Sequence, residues 1–244
     1  GIFAVAVGSV MLPSLAGHFA SKDHISSSRL LSSSLKNALF LTVPMAGLIV
    51  MMPRDIIAGA FQWNANYSDA NVQMSAYLLL GYSASIIIHT VIFIFNQAFY
   101  AKGKTRIPFF AGFINVSMVF LLCTLFITLN PNPRPIYLTL AYSLSSLCGM
   151  IFLTIYYSRD KAVRPSGLVR FFWQLILCAL VLILTIFGLN FIPVNPEGKF
   201  FRLMWLAARG FLGLGVYILC AIFLKMPEWS AFYGRVRGKL SGKR

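Results

Sequence analysis

NQAFYAKGKTRIPFF, residues 96–110, sits between two long apolar stretches. Lys102, Lys104, Thr105 and Arg106 crowd into one short turn, and Pro108 follows at once. The surrounding chain explains why a basic knuckle stands in such greasy sequence. Of 244 residues, 58% are hydrophobic and only 11% are charged. A soluble domain carries about 25% charged residues. With a mean hydropathy of +0.77, most of the surface must face a solvent other than water. The expected fold class is an all-α polytopic membrane protein.

A helix needs about 20 apolar residues to cross a bilayer core. Seven segments qualify, at roughly 1–19, 31–52, 72–100, 108–129, 136–157, 169–192 and 203–225. Between them stand stop signals: PRD at 53–55, WNANYSD at 63–69, NPNPRP at 130–135 and VNPEG at 194–198. Their prolines lack donors and fix φ, so they cannot continue a helix.

The cations sort by alternate connections. One set holds Lys22, Arg29 and Lys36, then Lys102, Lys104 and Arg106, then Arg159, Lys161, Arg164 and Arg170. The tail adds Lys225, Arg235, Arg237, Lys239, Lys243 and Arg244. The other set holds only Arg54, Arg134, Lys199 and Arg202, and Arg209 alone lies inside a segment. Cytoplasmic loops carry the excess of Lys and Arg. The knuckle at 102–106 therefore marks a cytoplasmic turn, with the first helix starting outside and the C-terminus inside. The net charge of +15 is then a matter of topology, and no nucleic-acid partner is expected.

Catalytic patterns are missing. The six acids, Asp23, Asp55, Asp69, Asp160, Glu197 and Glu228, are read as loop or tail residues. No acid cluster is placed to hold a metal and a diphosphate, so no enzyme and no metal site are expected. Cys123, Cys148, Cys178 and Cys220 lie in apolar runs without metal-type spacing and read as packing residues.

Ionisable and polar groups at membrane depth are functional suspects. His89, in SIIIHTVIF, lies mid-helix; it either faces a substrate cavity or hydrogen-bonds a neighbouring helix. Asn96 and Gln97 precede the knuckle by one turn, as cavity candidates or as hydrated interfacial groups. Arg209 reads as snorkelling to the outer interface. Asn115 and Ser117 read as helix–helix hydrogen-bonding groups. Pro13, and Pro44 with Gly47, are helix-break or hinge candidates of the kind transporters use. Gly210, Gly213 and Gly215 would allow close approach to the last segment.

Three stretches together resemble one family. GIFAVAVGSVMLPSLA (1–16) is similar to a G-x-x-G-V-A-x-G-T-x-x-L-P-x-L-S helix of the MurJ (MviN) lipid II flippases. VPMAGLIVMMPRDIIAGAFQW (43–63) resembles the next helix and its exit. QAFYAKGKTRIPF (97–109) resembles the family's R-A-F-Y-A-x-x-D-T-K-T-P turn, with Phe99, Tyr100, Ala101, Thr105, Arg106 and Pro108 in register. Gln97 stands where the family has a basic residue, Lys104 where it has an acid, and Ile107 where it has a second threonine; Asn64 stands near a usual glycine.

The resemblance implies a two-lobed flippase of the multidrug/oligosaccharidyl-lipid/polysaccharide exporter superfamily. Residues 1–158 would form second-lobe helices, the family's helices 8–12, and 159–244 the two additional helices, 13–14, with a basic cytoplasmic tail. It implies translocation of lipid II, the undecaprenyl-diphosphate-linked peptidoglycan precursor, to the outer leaflet of the bacterial inner membrane by alternating access. It also implies an N-terminal lobe outside this chain as a required partner, without which the chain would not be active. No cofactor is implied beyond coupling to sodium or the membrane potential. Asn115 is the ion-binding candidate, with Val119 where the family has an acid one turn on. The alternatives are a flippase for another polyprenyl-diphosphate-linked oligosaccharide, or a non-transporting seven-helix scaffold or receptor.

Overall fold

Inside a bilayer the backbone must satisfy its own polar groups, which forces long apolar segments into helices. The computed structural model describes residues 2–62, 67–130, 134–159, 168–191, 198–230 and 234. The described residues form α1 (Ile2–Ala20), α2 (His24–Met51), α3 (Pro53–Phe61), α4 (Asp69–Ala101), α5 (Arg106–Leu129), α6 (Ile136–Ser158), α7 (Leu168–Asn190) and α8 (Lys199–Phe223). Among them α2 and α4 to α8 are long and apolar enough to cross a membrane; α1, apolar over Ala4–Ala20, is shorter. The all-helical polytopic class expected from composition is what the chain adopts.

Two boundaries differ from the hydropathy reading. α2 starts at His24, not at 31, because Asp23 caps it: the Ser26 N–H donates to Asp23 Oδ1 at 3.0 Å. The serine-rich first turns stay helical, with Ser27 and Ser32 donating their hydroxyls to the carbonyls of Asp23 and Ser28. α3 was not expected. Pro53 ends α2 and opens α3 at its first position, where a missing N–H costs nothing. Asp55 and Asp69 therefore sit in helical first turns and not in loops, as suits carboxylates at the positive end of a helix dipole. Nine residues of α3 make about 13 Å of helix, too short to cross, so the alternation of basic turns survives.

The chain divides into two compact units, Gly1–Ser166 and Gly167–Arg244. In the first, α4 is central and packs on α1, α2, α3 and α6, while α5 packs chiefly on α6. Ile57 of α3 seats on Val72 and Ala76 of α4. Small residues set the close crossings. A Cβ at Gly8 would strike the Phe93 ring, and one at Gly81 would strike Thr139 Oγ1. α5 buries only Pro108 and Ala111. Its Phe113 and Phe120 stand outward, as befits a lipid-facing surface.

In the second unit, α7 buries Phe171, Leu175, Cys178, Leu182 and Ile186 along one stripe, the helical period of a single packed face. α8 answers with Gly213, Tyr217 and Ala221. Gly210 and Gly215 face open space. Arg209 corrects the snorkelling expectation. α8 begins at Lys199, so Arg209 lies deeper in its helix, is 8% exposed, and donates from Nη1 to Asn190 Oδ1 at 2.9 Å. Its guanidinium also lies 5.8 Å from the Trp205 ring. Asn64, Asp160, Lys161, Arg164, Glu197 and the tail cations from Arg235 onward lie outside the described residues.

Candidate functional site

α4 places polar groups on one face at helical spacing: Tyr82, Ser85, His89 and Asn96. They line a cavity of about 670 Å³ together with Ala4 and Val5 of α1 and Tyr142 of α6. The Tyr82 and Tyr142 rings meet edge to face at 5.4 Å. His89 stacks on Tyr142 at 5.4 Å, and its Nε2 lies 3.0 Å from Ser146 Oγ. Ser146 Oγ also lies 2.8 Å from the Tyr142 carbonyl, which can take its proton. With the proton placed there, its oxygen accepts from His89 Nε2–H; with the other tautomer, the hydroxyl donates to Nε2 instead. His89 thus bonds a neighbouring helix and lines a cavity at once.

The other candidates separate. Asn96 lines the same cavity, and its Oδ1 is buried with no hydrogen-bond partner. Gln97, one residue on, turns to α1, where its Cγ lies beside Gly8. Asn115 sits apart on α5, its Oδ1 accepting from Ser145 of α6 at 2.9 Å. That bond joins α5 to α6 and leaves the amide oxygen a second lone pair. Among the described residues no three His, Cys, Asp or Glu side chains gather as a metal site.

The basic knuckle is a helix-capping device. Lys104 N–H donates to the Phe99 carbonyl at 2.9 Å and Gly103 N–H to that of Tyr100 at 2.9 Å. Gly103 has φ +69°. This is the Schellman pattern, in which a left-handed residue closes the last turn. Phe99 is buried and packs edge-on against Tyr157. Lys102 Nζ lies 4.9 Å from the Phe19 ring and 4.5 Å from that of Tyr157, tying the ends of α1, α4 and α6 together. Ala101 ends α4, Thr105 precedes α5, Arg106 opens it, and Pro108 is buried in its first turn. Tyr100 is exposed.

The same bonding recurs after α1 and α8. Asp23 N–H reaches the His18 carbonyl and Lys22 N–H that of Phe19; Met226 N–H reaches Ala221 and Lys225 N–H reaches Ile222. Lys22 and Lys225 hold the left-handed position at φ 56° and 51°. The hinge candidates stay helical: α1 runs through Pro13, and α2 runs through Pro44 and Gly47.

Tyr82, Ser85, Tyr142 and Ser146 were not singled out from sequence. The α4 members share the spacing of His89 and Asn96 and were legible there. The α6 members depend on how α6 is rotated against α4, which hydropathy does not encode.

A family model described as lipid II flippase MurJ matches residues 1–207. The chain is 31% identical over 173 residues to a probable lipid II flippase MurJ of Treponema pallidum, covering 70% of this chain and 32% of that protein. It is 26% identical over 195 residues to a probable lipid II flippase MurJ of Buchnera aphidicola, covering 77% and 36%. The chain thus spans about a third of the length of these relatives. A solved lipid II flippase MurJ, in an inward closed conformation, matches with a TM-score of 0.73 at 21% identity, over 92% of this chain and 44% of that one. That likeness is one of fold.

Proposed function

Because the chain belongs to the MurJ lipid II flippase family, we propose that it forms the second lobe and C-terminal helix pair of a transporter for lipid II. Residues 1–158 are the lobe, and 159–244 the extra pair with its tail. The observation that carries this reading is the family match, which runs through both compact units. A lobe outside this chain completes the transporter, and the two rock to expose a shared path to each leaflet in turn. Pro13, Pro44 and Gly47 are where α1 and α2 bend during that motion.

The physical task is to move a charged diphosphate and its sugar across about 30 Å of hydrocarbon. Two features support this reading: α5 turns aromatic and aliphatic side chains outward, and polar groups collect in an open cavity between α1, α4 and α6. His89 and Asn96 contact the head group there, and Gln97 supports the α1–α4 crossing. The membrane is the bacterial inner membrane. The excess of cations in the α1–α2 turn and the first half of α2, at 102–106 and 159–170, and in the tail supports a cytoplasmic C-terminus. The protein works as a transporter and performs no covalent chemistry. If sodium drives it through Asn115, the ion takes the lone pair of Asn115 Oδ1 that the Ser145 hydroxyl leaves open.

The test is complementation of a flippase-depleted bacterium with the full-length protein, followed by leaflet assays of lipid II in reconstituted vesicles. Rescue with lipid II movement supports the reading. Movement of another polyprenyl-diphosphate sugar without lipid II would overturn the substrate. Wild-type transport in His89→Ala would remove His89 from the substrate path.

A further inference from the structure

We propose that Cys178, Cys220 and Met226 form a three-sulfur site for a soft monovalent ion of the Cu(I) class, which clips α7 to the turn that follows α8. The site lies wholly inside the second compact unit and does not depend on the transport reading above.

Three observations carry the proposal. First, the sulfurs converge. Cys178 is fully buried on α7, and its thiol lies 4.0 Å from Met226 Sδ. Cys220, on α8, is within hydrogen-bonding reach of the same thiol. Three sulfurs bound at about 2.3 Å around one ion in a plane stand about 4.0 Å from one another. Cys178 and Met226 already hold that spacing.

Second, the donors are all soft. Among the described residues no third His, Cys, Asp or Glu joins the two cysteines, so the remaining donor is a thioether. The residues beside them on the packed faces, Leu175 and Leu182 on α7 and Ala221 on α8, carry no oxygen or nitrogen in their side chains. Structural zinc is held by four ligands drawn from Cys and His. Two thiolates and one thioether suit Cu(I).

Third, the frame is fixed and reachable. Gln174, one turn before Cys178, donates from Nε2 to the Leu224 carbonyl at 3.0 Å. The Met226 N–H donates to the Ala221 carbonyl at 3.0 Å, and the Met226 side chain is buried. Cys220 is only partly covered, which gives an ion a way in. On binding, each thiol releases one proton, Met226 adds a lone pair, and the ion keeps its oxidation state. Two thiolates and one cation leave one excess negative charge, and Lys225, next to Met226 in the chain, is placed to offset it.

The experiment uses the full-length protein carrying Cys123→Ala and Cys148→Ala, titrated without oxygen with Cu(I) held as its bicinchoninate complex. This parent should take up one equivalent that is lost from Cys178→Ala and Cys220→Ala and weakened at least ten-fold in Met226→Leu. Met226→Leu nearly conserves volume, so it should fold even if a cysteine variant does not. X-ray absorption of the parent loaded with one equivalent should show three sulfurs at about 2.3 Å. Copper should raise the thermal midpoint of the parent, because it binds the folded state, and leave that of Met226→Leu unchanged. An equal concentration of Zn(II) should not displace it.

Equal copper affinity in the parent and Met226→Leu overturns the proposal, as does displacement by Zn(II). A Cys178–Cys220 disulfide in protein isolated from cells with its free thiols blocked, read as a cross-linked peptide by mass spectrometry, also overturns it, because the two thiolates are then not available to an ion.

Discussion

Ser143 donates its hydroxyl to the carbonyl of Gly81 at 2.7 Å, a buried side-chain-to-backbone bond between α6 and α4. The bond is possible only because Gly81 lets the two helices close in; a Cβ there would run into Thr139 Oγ1 and come within 2.9 Å of Thr139 Cβ. This crossing holds Tyr142 against His89 and thereby shapes the cavity. Gly81→Ala should destabilise the protein by about 1–3 kcal/mol, the usual cost of overpacking a tight contact. Adding Thr139→Ala should recover part of that loss. Thermal unfolding of the detergent-purified full-length protein checks both; a Gly81→Ala midpoint equal to wild type would show that the crossing has slack.

Arg209, buried on α8, donates to Asn190, an exposed residue at the end of α7. Hydrogen bonds to charged groups contribute about 1.5–3 kcal/mol. Asn190→Ala should cost no more than the lower end of that range, since it removes one acceptor from the guanidinium and Asn190 itself is exposed. Arg209→Met should be better tolerated than its burial suggests, because the apolar side chain fills the site without a charge to desolvate. Comparing the three melting curves decides it.

Lys22 and Lys225 occupy left-handed positions that glycine holds at Gly103. A side chain there costs about 1–2 kcal/mol. Lys22→Gly and Lys225→Gly should each raise stability by up to about 1 kcal/mol, and Gly103→Ala should lower it by a similar amount. The opposite signs, read in one thermal-shift series, separate backbone conformation from charge.

Asp23 couples the α1–α2 turn to pH. The Ser26 hydroxyl, and then its backbone N–H, hold the carboxyl below the usual carboxylate range. A depressed folded-state pKa stabilises the fold above the unfolded value of about 3.9 and loses that contribution as pH falls through the folded value. Wild type should therefore lose stability relative to Asp23→Ala as pH drops below about 4. At neutral pH Asp23→Ala should be the less stable of the two. Melting curves at several pH values that run parallel for both proteins would exclude the cap as the titrating element.

Much of the fold was written in composition and spacing, for reasons that come from the bilayer. Hydrocarbon fixes how long an apolar run must be, and the cytoplasmic excess of Lys and Arg fixes which turns carry charge. The segments later seen as α1, α2 and α4 to α8, the knuckle at Lys102–Arg106 and the family stretches were all legible in the chain itself. The short α3 was not, because Pro53 reads equally as a stop and as a first helical residue.

The site needed the tertiary structure. A helix that is apolar on nearly every side carries no moment to say which face turns inward. Sequence therefore could not tell Asn96, which lines the cavity, from Gln97, which packs beside Gly8. Nor could it bring Tyr142 and Ser146 to His89. Those pairings follow from how far α4 is rotated against α1 and α6, and that rotation is set where backbones approach at Gly8 and Gly81.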